Sequence, residues 1–329
     1  MSELRQDPVS GDWVYYAANR RNKPYDFKWR QVSSRRAGGD CAFCPGHEGE
    51  TPAAVYQDGP NGAWTVRVFE NRYPAVAEAE PDFVPDGFYR NVPGLGRHEV
   101  LVDTADHGGV LHEFPLEHIQ KILWVLQERM REIQKDPRVM YVQIFKNCGP
   151  EAGASIAHSH WQLLGAPVPG KEQQDALDHA RAYRAAHDSC LFCDIVAKEL
   201  AEGGRVVAQN QSFLAFTPYA SRSAFELWII SKTHIASFVD FSEAQRESFG
   251  ALFYDVLRRL PRLRDGLGYN ICFQDVPRGA GLGRVFHWYC RIVPRIGAPA
   301  GFEFGTGNRI NPVTPEAAAE IYRQLGEEL

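Results

Sequence analysis

No apolar run in these 329 residues approaches the length needed to cross a bilayer, and the opening "MSELRQDP" is polar where a secretory signal is apolar. A membrane partner is therefore not expected, and the cytoplasm is the expected location. An excess of positive charge is also lacking, since 36 Lys and Arg face 41 Asp and Glu for a net charge of -5. No global field draws the chain to nucleic acid, so any phosphate it binds must be held by local groups. Cysteine is sparse and odd in number, seven in all, which favours reduced thiols or metal ligation over a disulfide framework. What is present is 44% hydrophobic content, enough for two ordinary domains or one large one.

Four of the seven cysteines form two pairs, "CAFC" at 41–44 and "CLFC" at 190–193, each with Phe before the second cysteine. Around them one order of elements occurs twice. "EVLVDTADH" and "FELWIISKTH" alternate as strands and run into His107 and His234. "LEHIQKILWVLQERMREIQ" and "SEAQRESFGALFYDVLRRL" follow with the helical period, the second opening on Ser242 as an N-cap. "VMYVQIFKN" and "GYNICFQDV" read as strands, and His-containing segments close each copy. From His107 to His158 is 51 residues, and from His234 to His287 is 53. The expected fold is α+β: two tandem units, about 1–170 and 185–329, each an antiparallel sheet with a long helix, joined by a polar helical segment.

A lone CxxC pair can be two buried hydrophobes or a redox couple. Two pairs with histidines at matching places in a repeat point instead to two tetrahedral zinc sites, since CxxC presents two thiolates from one turn. The candidate ligands are Cys41, Cys44, His107 and His158 in the first copy, and Cys190, Cys193, His234 and His287 in the second. His47 is a rival ligand, while His47, His98 and His112 otherwise read as surface histidines. Cys148, Cys272 and Cys290 read as packing residues.

The copies diverge where His158-x-His160-x-Gln162 faces His287-x-Tyr289-x-Arg291. On a strand, His158, His160 and Gln162 would share one face. With His158 on a metal, His160 is an imidazole held by a rigid neighbour and free to act as a nucleophile. Gln162 can donate its amide N–H to an oxygen that gains charge during attack.

Taken together, "DPVSGDWV", "CAFCPGHE", "VFENRYPAV", "GRHEVLVDTADH", "KNCGPEAGASIAHSHWQ", "CLFC", "ELWIISKTH", "FHWYCRIVPR" and "GFEFGTGNRINPVTPE" resemble the galactose-1-phosphate uridylyltransferases and the related ADP-glucose phosphorylases, within the histidine triad superfamily. The likeness spans nearly the whole chain. It implies a nucleotidyltransferase that acts by double displacement, moving a nucleoside monophosphate between a nucleotide sugar and a hexose 1-phosphate or inorganic phosphate. By motif position it implies His160 as nucleophile, His158 as a zinc ligand and Gln162 as a partner of the phosphoryl group. It further implies substrate contacts at Arg20, Lys23, Asn71, Asn147, Gly153 and Ser155, sugar contacts at Phe302 and Glu303, and a homodimer. Glycine at 153 also suits a backbone that must approach a phosphate closely.

Departures bear on the substrate. Ser159 stands where uridylyltransferases usually carry proline, its carbonyl expected to orient the His160 ring, and Trp161 stands where they carry a small residue. A lysine common before the "GYE"-like segment is absent, with Gly297 to Ala300 there instead. "HSH", the double CxxC and "GFEFGTGNRINP" lean toward the ADP-glucose phosphorylase branch. Two other classes compete. A histidine-triad hydrolase would pass the nucleotidyl group to water, against the retained sugar segment. A zinc-ribbon module would pair its CxxC motifs at short range on a basic face, against pairs about 150 residues apart in an acidic chain.

Overall fold

A computed structural model of the protein describes residues 2–17, 41–77, 87–89, 91–279 and 281–328. Arg20 and Lys23 lie outside the described residues. Strands β1 (Glu3–Gln6) and β2 (Trp13–Tyr16) pair antiparallel. The chain then forms β3 (Ala54–Gln57), β4 (Arg67–Glu70) and β5 (Arg97–Val102), helix α1 (Leu116–Ile133), β6 (Tyr141–Cys148) and β7 (His160–Ala166). The polar linking segment is helix α2 (Lys171–His187), and α3 (Leu191–Glu202) follows. The second copy runs β8 (Val206–Gln209), β9 (Phe213–Phe216), β10 (Leu227–Ser231), α4 (Glu243–Leu263), β11 (Tyr269–Gln274) and β12 (Tyr289–Pro294). Helix α5 (Gly301–Thr306), strand β13 (Arg309–Asn311) and helix α6 (Pro315–Glu327) complete the chain.

The repeat is realised as one continuous sheet. Its order is β3-β4-β5-β7-β6-β11-β12-β10-β9-β8, with every neighbouring pair antiparallel. Each copy contributes its strands in the same internal order, and the fourth strands, β6 and β11, meet at the seam with Asn147 opposite Asn270. In a separate sheet β13 adds parallel to β2, so the two chain ends share three strands.

Helices α1 and α4 cover one face. In α1 the buried residues Ile119, Ile122, Leu123, Leu126, Met130 and Ile133 recur every three or four positions, which sets one stripe against the sheet. Ser242 caps α4 as expected: its Oγ accepts from Gln245 N at 3.3 Å, and Gln245 Oε1 accepts from Ser242 N at 2.9 Å. The core beneath includes Trp161, Leu163, Phe253, Phe273 and Trp288, drawn from both copies. Each such side chain fully buried contributes about 1.5–3 kcal/mol.

Strand alternation sends the other residues to the opposite face. Over the second copy α2 and α3 cover that face, burying Leu214, Phe216, Trp228, Ile230 and Tyr289 beneath Ala176, Leu177, Phe192 and Val196. Over the first copy it carries His98, Val100 and Val102 on β5, and His160 and Gln162 on β7.

Candidate active site and metal centres

The two CxxC turns each bring their sulfurs to two histidines. Cys41, Cys44, His107 and His158 form one cluster, and Cys190, Cys193, His234 and His287 the other, the ligand atoms of each lying within 4.8 Å of one another. Cys44 Sγ lies 3.4 Å from His107 Nδ1 and 3.6 Å from His158 Nδ1, and Cys41 Sγ lies 3.8 Å from His158 Nδ1. In the second cluster Cys193 Sγ lies 3.4 Å from His234 Nδ1 and 3.8 Å from His287 Nδ1. A tetrahedral zinc with about 2.3 Å to sulfur and about 2.0 Å to nitrogen has sulfur–nitrogen edges of about 3.5 Å, so both donor sets fit.

Outer contacts aim the rings. His158 donates from Nε2 to Thr104 O at 2.8 Å, His234 to Gly283 O at 2.7 Å, and His287 to Ser231 Oγ at 2.8 Å, leaving each Nδ1 as the ligand nitrogen. The thiols also call for a cation. Burial and the adjoining Cys41 push the Cys44 thiol up to about 11. Hydrogen bonding from Cys193 holds the Cys190 thiol far down, and the bond to that thiolate, with burial, pushes Cys193 far up. Two adjacent thiolates do not coexist in either turn without a positive ion between them. His47 is no ligand; it pairs instead with Glu50 Oε1 at 2.7 Å.

His158 sits at a bend and β7 begins at His160, so the three residues do not lie on one strand face. His160 and Gln162 do, and the kink lets His158 turn to the metal cluster while His160 stays on the sheet. The residue that orients the His160 ring is His158, whose carbonyl accepts from Nδ1 at 2.8 Å. The expectation placed that role on Ser159 O, which instead accepts from Asp103 N at 3.4 Å and extends the β5–β7 pairing. With Nδ1 protonated, the lone pair of neutral His160 is on Nε2. Burial lowers the His160 pKa, with Lys146 adding to the effect, so the ring is neutral near pH 7. Its ring makes a T-shaped contact with Phe43 at 5.4 Å between centroids, which gives the phenylalanine of CAFC a function in the site.

A buried clamp beneath the pair was not read from the sequence. Lys146, 1% exposed, donates to Asp103 Oδ2 at 2.7 Å, Ser159 Oγ at 2.8 Å and His160 O at 3.0 Å. All three ammonium hydrogens are used, so the loop that carries both histidines is pinned to β5 and β6. The only signal in the sequence was a lysine inside the apolar strand "VMYVQIFKN".

His98 is a correction. Expected at the surface, it is 9% exposed and lies on the site face, with Nε2 2.9 Å from Gln162 Oε1 and 3.3 Å from Asn71 Nδ2. Asn71 is thereby brought to the site. Asn147, at the end of β6, accepts on Oδ1 from Asn270 Nδ2 at 2.7 Å, across the seam. Gly153 and Ser155 lie in the loop that leads to His158. Gly153 has φ +85, a left-handed backbone that favours glycine. Phe302 and Glu303 lie on helix α5. Phe302 packs edge-on against Tyr15 at 5.5 Å, Glu303 Oε2 accepts from Ala300 N at 2.9 Å, and among the described residues neither bonds to β7.

Comparisons with known proteins identify the family. The family profile for the galactose-1-phosphate uridyl transferase N-terminal domain matches residues 1–169, and that for its C-terminal domain matches 175–286. An ADP-glucose phosphorylase of Arabidopsis thaliana is 31% identical over 98% of this chain and 93% of its own. A galactose-1-phosphate uridylyltransferase of Thermotoga maritima is 28% identical, with both chains covered in full. A crystal structure of an Arabidopsis thaliana ADP-glucose phosphorylase with bound ADP-glucose superposes with a TM-score of 0.84 at 29% identity, covering 98% of this chain and 99% of that one. With its two tandem α+β copies, the chain belongs to the galactose-1-phosphate uridyl transferase family and is an enzyme of the nucleotidyltransferase type.

Proposed function

We propose that the protein moves a nucleoside monophosphate between a nucleotide sugar and a hexose 1-phosphate through a nucleotidyl-His160 intermediate. In this reading residues 1–170 form the catalytic unit and 185–329 its supporting copy, zinc occupies both clusters, and the enzyme works as a cytoplasmic homodimer. The observation that carries it is the ring of His160: proton fixed on Nδ1, lone pair on Nε2, set beside Gln162 on the sheet face of the first copy.

The steps follow from that arrangement. Nε2 attacks the α-phosphorus of the nucleotide sugar, an N–P bond forms, and the bond to the sugar phosphate oxygen breaks. The leaving group departs as a phosphate anion, so no general acid is needed. The positive charge that develops on the ring is stabilised through the Nδ1–H bond to His158 O. Gln162 donates to a phosphoryl oxygen, while Asn71, Asn147 and the Gly153–Ser155 loop line the approach, with Arg20 and Lys23 as phosphate clamps. An oxygen of the acceptor phosphate then attacks phosphorus, the N–P bond breaks, and the free imidazole returns. Zinc in the first cluster would hold His158, and through its carbonyl the His160 ring, in a fixed place.

A second reading keeps this chemistry and makes inorganic phosphate the acceptor. The 31% identity to an ADP-glucose phosphorylase and Ser159 between the two histidines favour it. One experiment tests both. UDP-glucose and ADP-glucose labelled in the α-phosphate are incubated with the enzyme without acceptor, then chased. Acid-labile label on the protein is expected, released by hexose 1-phosphate as a nucleotide sugar, or by inorganic phosphate as a nucleoside diphosphate under the second reading. Free nucleoside monophosphate with no trapped adduct would overturn both and support a hydrolase.

A further inference from the structure

We infer that His98 is a positioning residue that decides which end of the Gln162 amide faces the transferring phosphoryl group. This rests on the placement of Gln162 at that group given above. A primary amide is nearly symmetric in shape, and rotation by half a turn exchanges its donor for its acceptor. Only the N–H end stabilises a phosphoryl oxygen; the carbonyl end repels it. Something must therefore choose between the two.

The choice is made by a backbone group that cannot be flipped. Ala75 N donates to His98 Nδ1 at 3.2 Å, so that nitrogen carries a lone pair and not a proton. The proton of the neutral ring is then on Nε2, which donates to Gln162 Oε1 at 2.9 Å. The carbonyl end of Gln162 is thereby occupied, and its Nε2 has no partner among the described residues. Protonating the ring would set Nδ1–H against Ala75 N–H, and burial opposes the cation as well, so the direction of the chain is held. Asn71 fits the same logic. Its Oδ1 accepts from Tyr73 N at 2.9 Å, so its Nδ2 faces the protonated His98 Nε2 at 3.3 Å and cannot donate there. That amide group too is left to donate toward the site. The sequence ladder Ala75 N–H, His98, Gln162 thus converts one fixed backbone donor into one fixed side-chain donor.

The test uses the full-length zinc-loaded protein and the single-turnover rate of protein labelling from α-phosphate-labelled nucleotide sugar. His98→Ala should slow labelling about 10- to 100-fold with KM within about twofold, while zinc content and melting temperature are retained. Adding His98→Ala to Gln162→Ala should cost less than about twofold more, because both remove one donor. Glutamine at 98 can place an amide nitrogen near the lost Nε2, whereas asparagine reaches only as far as Nδ1. His98→Gln should therefore recover most of the rate and His98→Asn should not, a contrast that stays informative if the alanine variant folds poorly. Multiplying losses in the double variant, equal rates for the Gln and Asn variants, or wild-type labelling by His98→Ala would overturn the inference. Absence of label on the wild-type protein would instead overturn the nucleotidyl-histidine reading on which it rests.

Discussion

The two copies place different residues on equivalent positions of one scaffold. In the first, Phe43 packs against His160 at 5.4 Å; in the second, Phe192 packs against Tyr289 at 5.7 Å. Opposite Gln162 across β5–β7 lies Val100, and opposite Arg291 across β10–β12 lies Trp228. Two residues before those partners stand His98 and Glu226. The neutral bond between His98 and Gln162 therefore has as its counterpart an ion pair, Arg291 Nε to Glu226 Oε1 at 2.7 Å. Glu172 of α2 then bridges Arg291 at 3.1 Å and Arg222 at 2.9 Å, closing that face with charge and helix. A metal clasp alone does not make a site. The second copy keeps the clasp, but it has lost the imidazole and filled the space in front of it.

The sharpest way to break this comparison is to remove the ring from each copy. His160→Ala should lower nucleotidyl transfer about 10^4-fold or more with zinc content unchanged. Tyr289→Phe, at the matching position, should leave turnover within about twofold. An active His160→Ala enzyme, measured by nucleotide exchange, would move the nucleophile elsewhere.

Next in size are the clasps. Cys41→Ser and Cys193→Ser should each lose one of two zinc equivalents, measured by metal analysis, and each should lower thermal stability. Activity of the folded protein should vanish in the first and persist in the second, since only the first cluster holds the residue whose carbonyl orients His160. His234 is exposed while all four residues of the first cluster are at least partly buried, so a chelator should empty the second cluster first. Loss of activity in step with the second metal would show that the copies are coupled in catalysis.

Much of this was legible because cysteine and histidine at fixed spacing carry specific chemistry. The two Cys/His clusters and the helices under "LEHIQKILWVLQERMREIQ" and Ser242 lie where their patterns place them. Register was not legible. Nothing in "GRHEVLVDTADH" tells which strand lies beside β5, and until Val100 is known to face Gln162, His98 is one more strand histidine. The joining of both copies through β6 and β11 is likewise a long-range pairing that a repeat does not reveal. Period two fits His158, His160 and Gln162 alike, so the pattern does not reveal the bend at His158 that precedes β7. Phe302 and Glu303 rest on resemblance alone, since no spacing or periodicity in the sequence points to them.

A third pair of substitutions separates stability from catalysis. Arg291→Ala leaves Glu226, 2% exposed, without its ion partner and should cost about 3–5 kcal/mol in denaturant unfolding, with activity of the folded enzyme little changed. Arg291→Met with Glu226→Gln should restore much of that loss, because both charges leave together. Gln162→Ala should do the reverse, slowing transfer about 10^2-fold while moving stability by about 0.5 kcal/mol or less. A large catalytic loss in Arg291→Ala would mean that the second face takes part in the reaction.

The smallest effect concerns how each copy starts its long helix. Ser242 closes a capping box on α4, whereas α1 begins after Pro115, which has extended backbone at φ -64 and makes no side-chain cap bond. Ser242→Ala should therefore cost about 1 kcal/mol, with a melting midpoint lower by about 1–3 °C. Ser242→Asp should hold stability close to wild type, since a carboxylate accepts the Gln245 N–H equally well and suits the positive end of the helix dipole. Because α4 carries Phe249, Phe253 and Val256 into the core shared by both copies, fraying there should loosen the whole sheet in one transition. If the alanine and aspartate variants melt together at the wild-type temperature, the cap contributes nothing and packing alone holds the start of α4, as it does for α1.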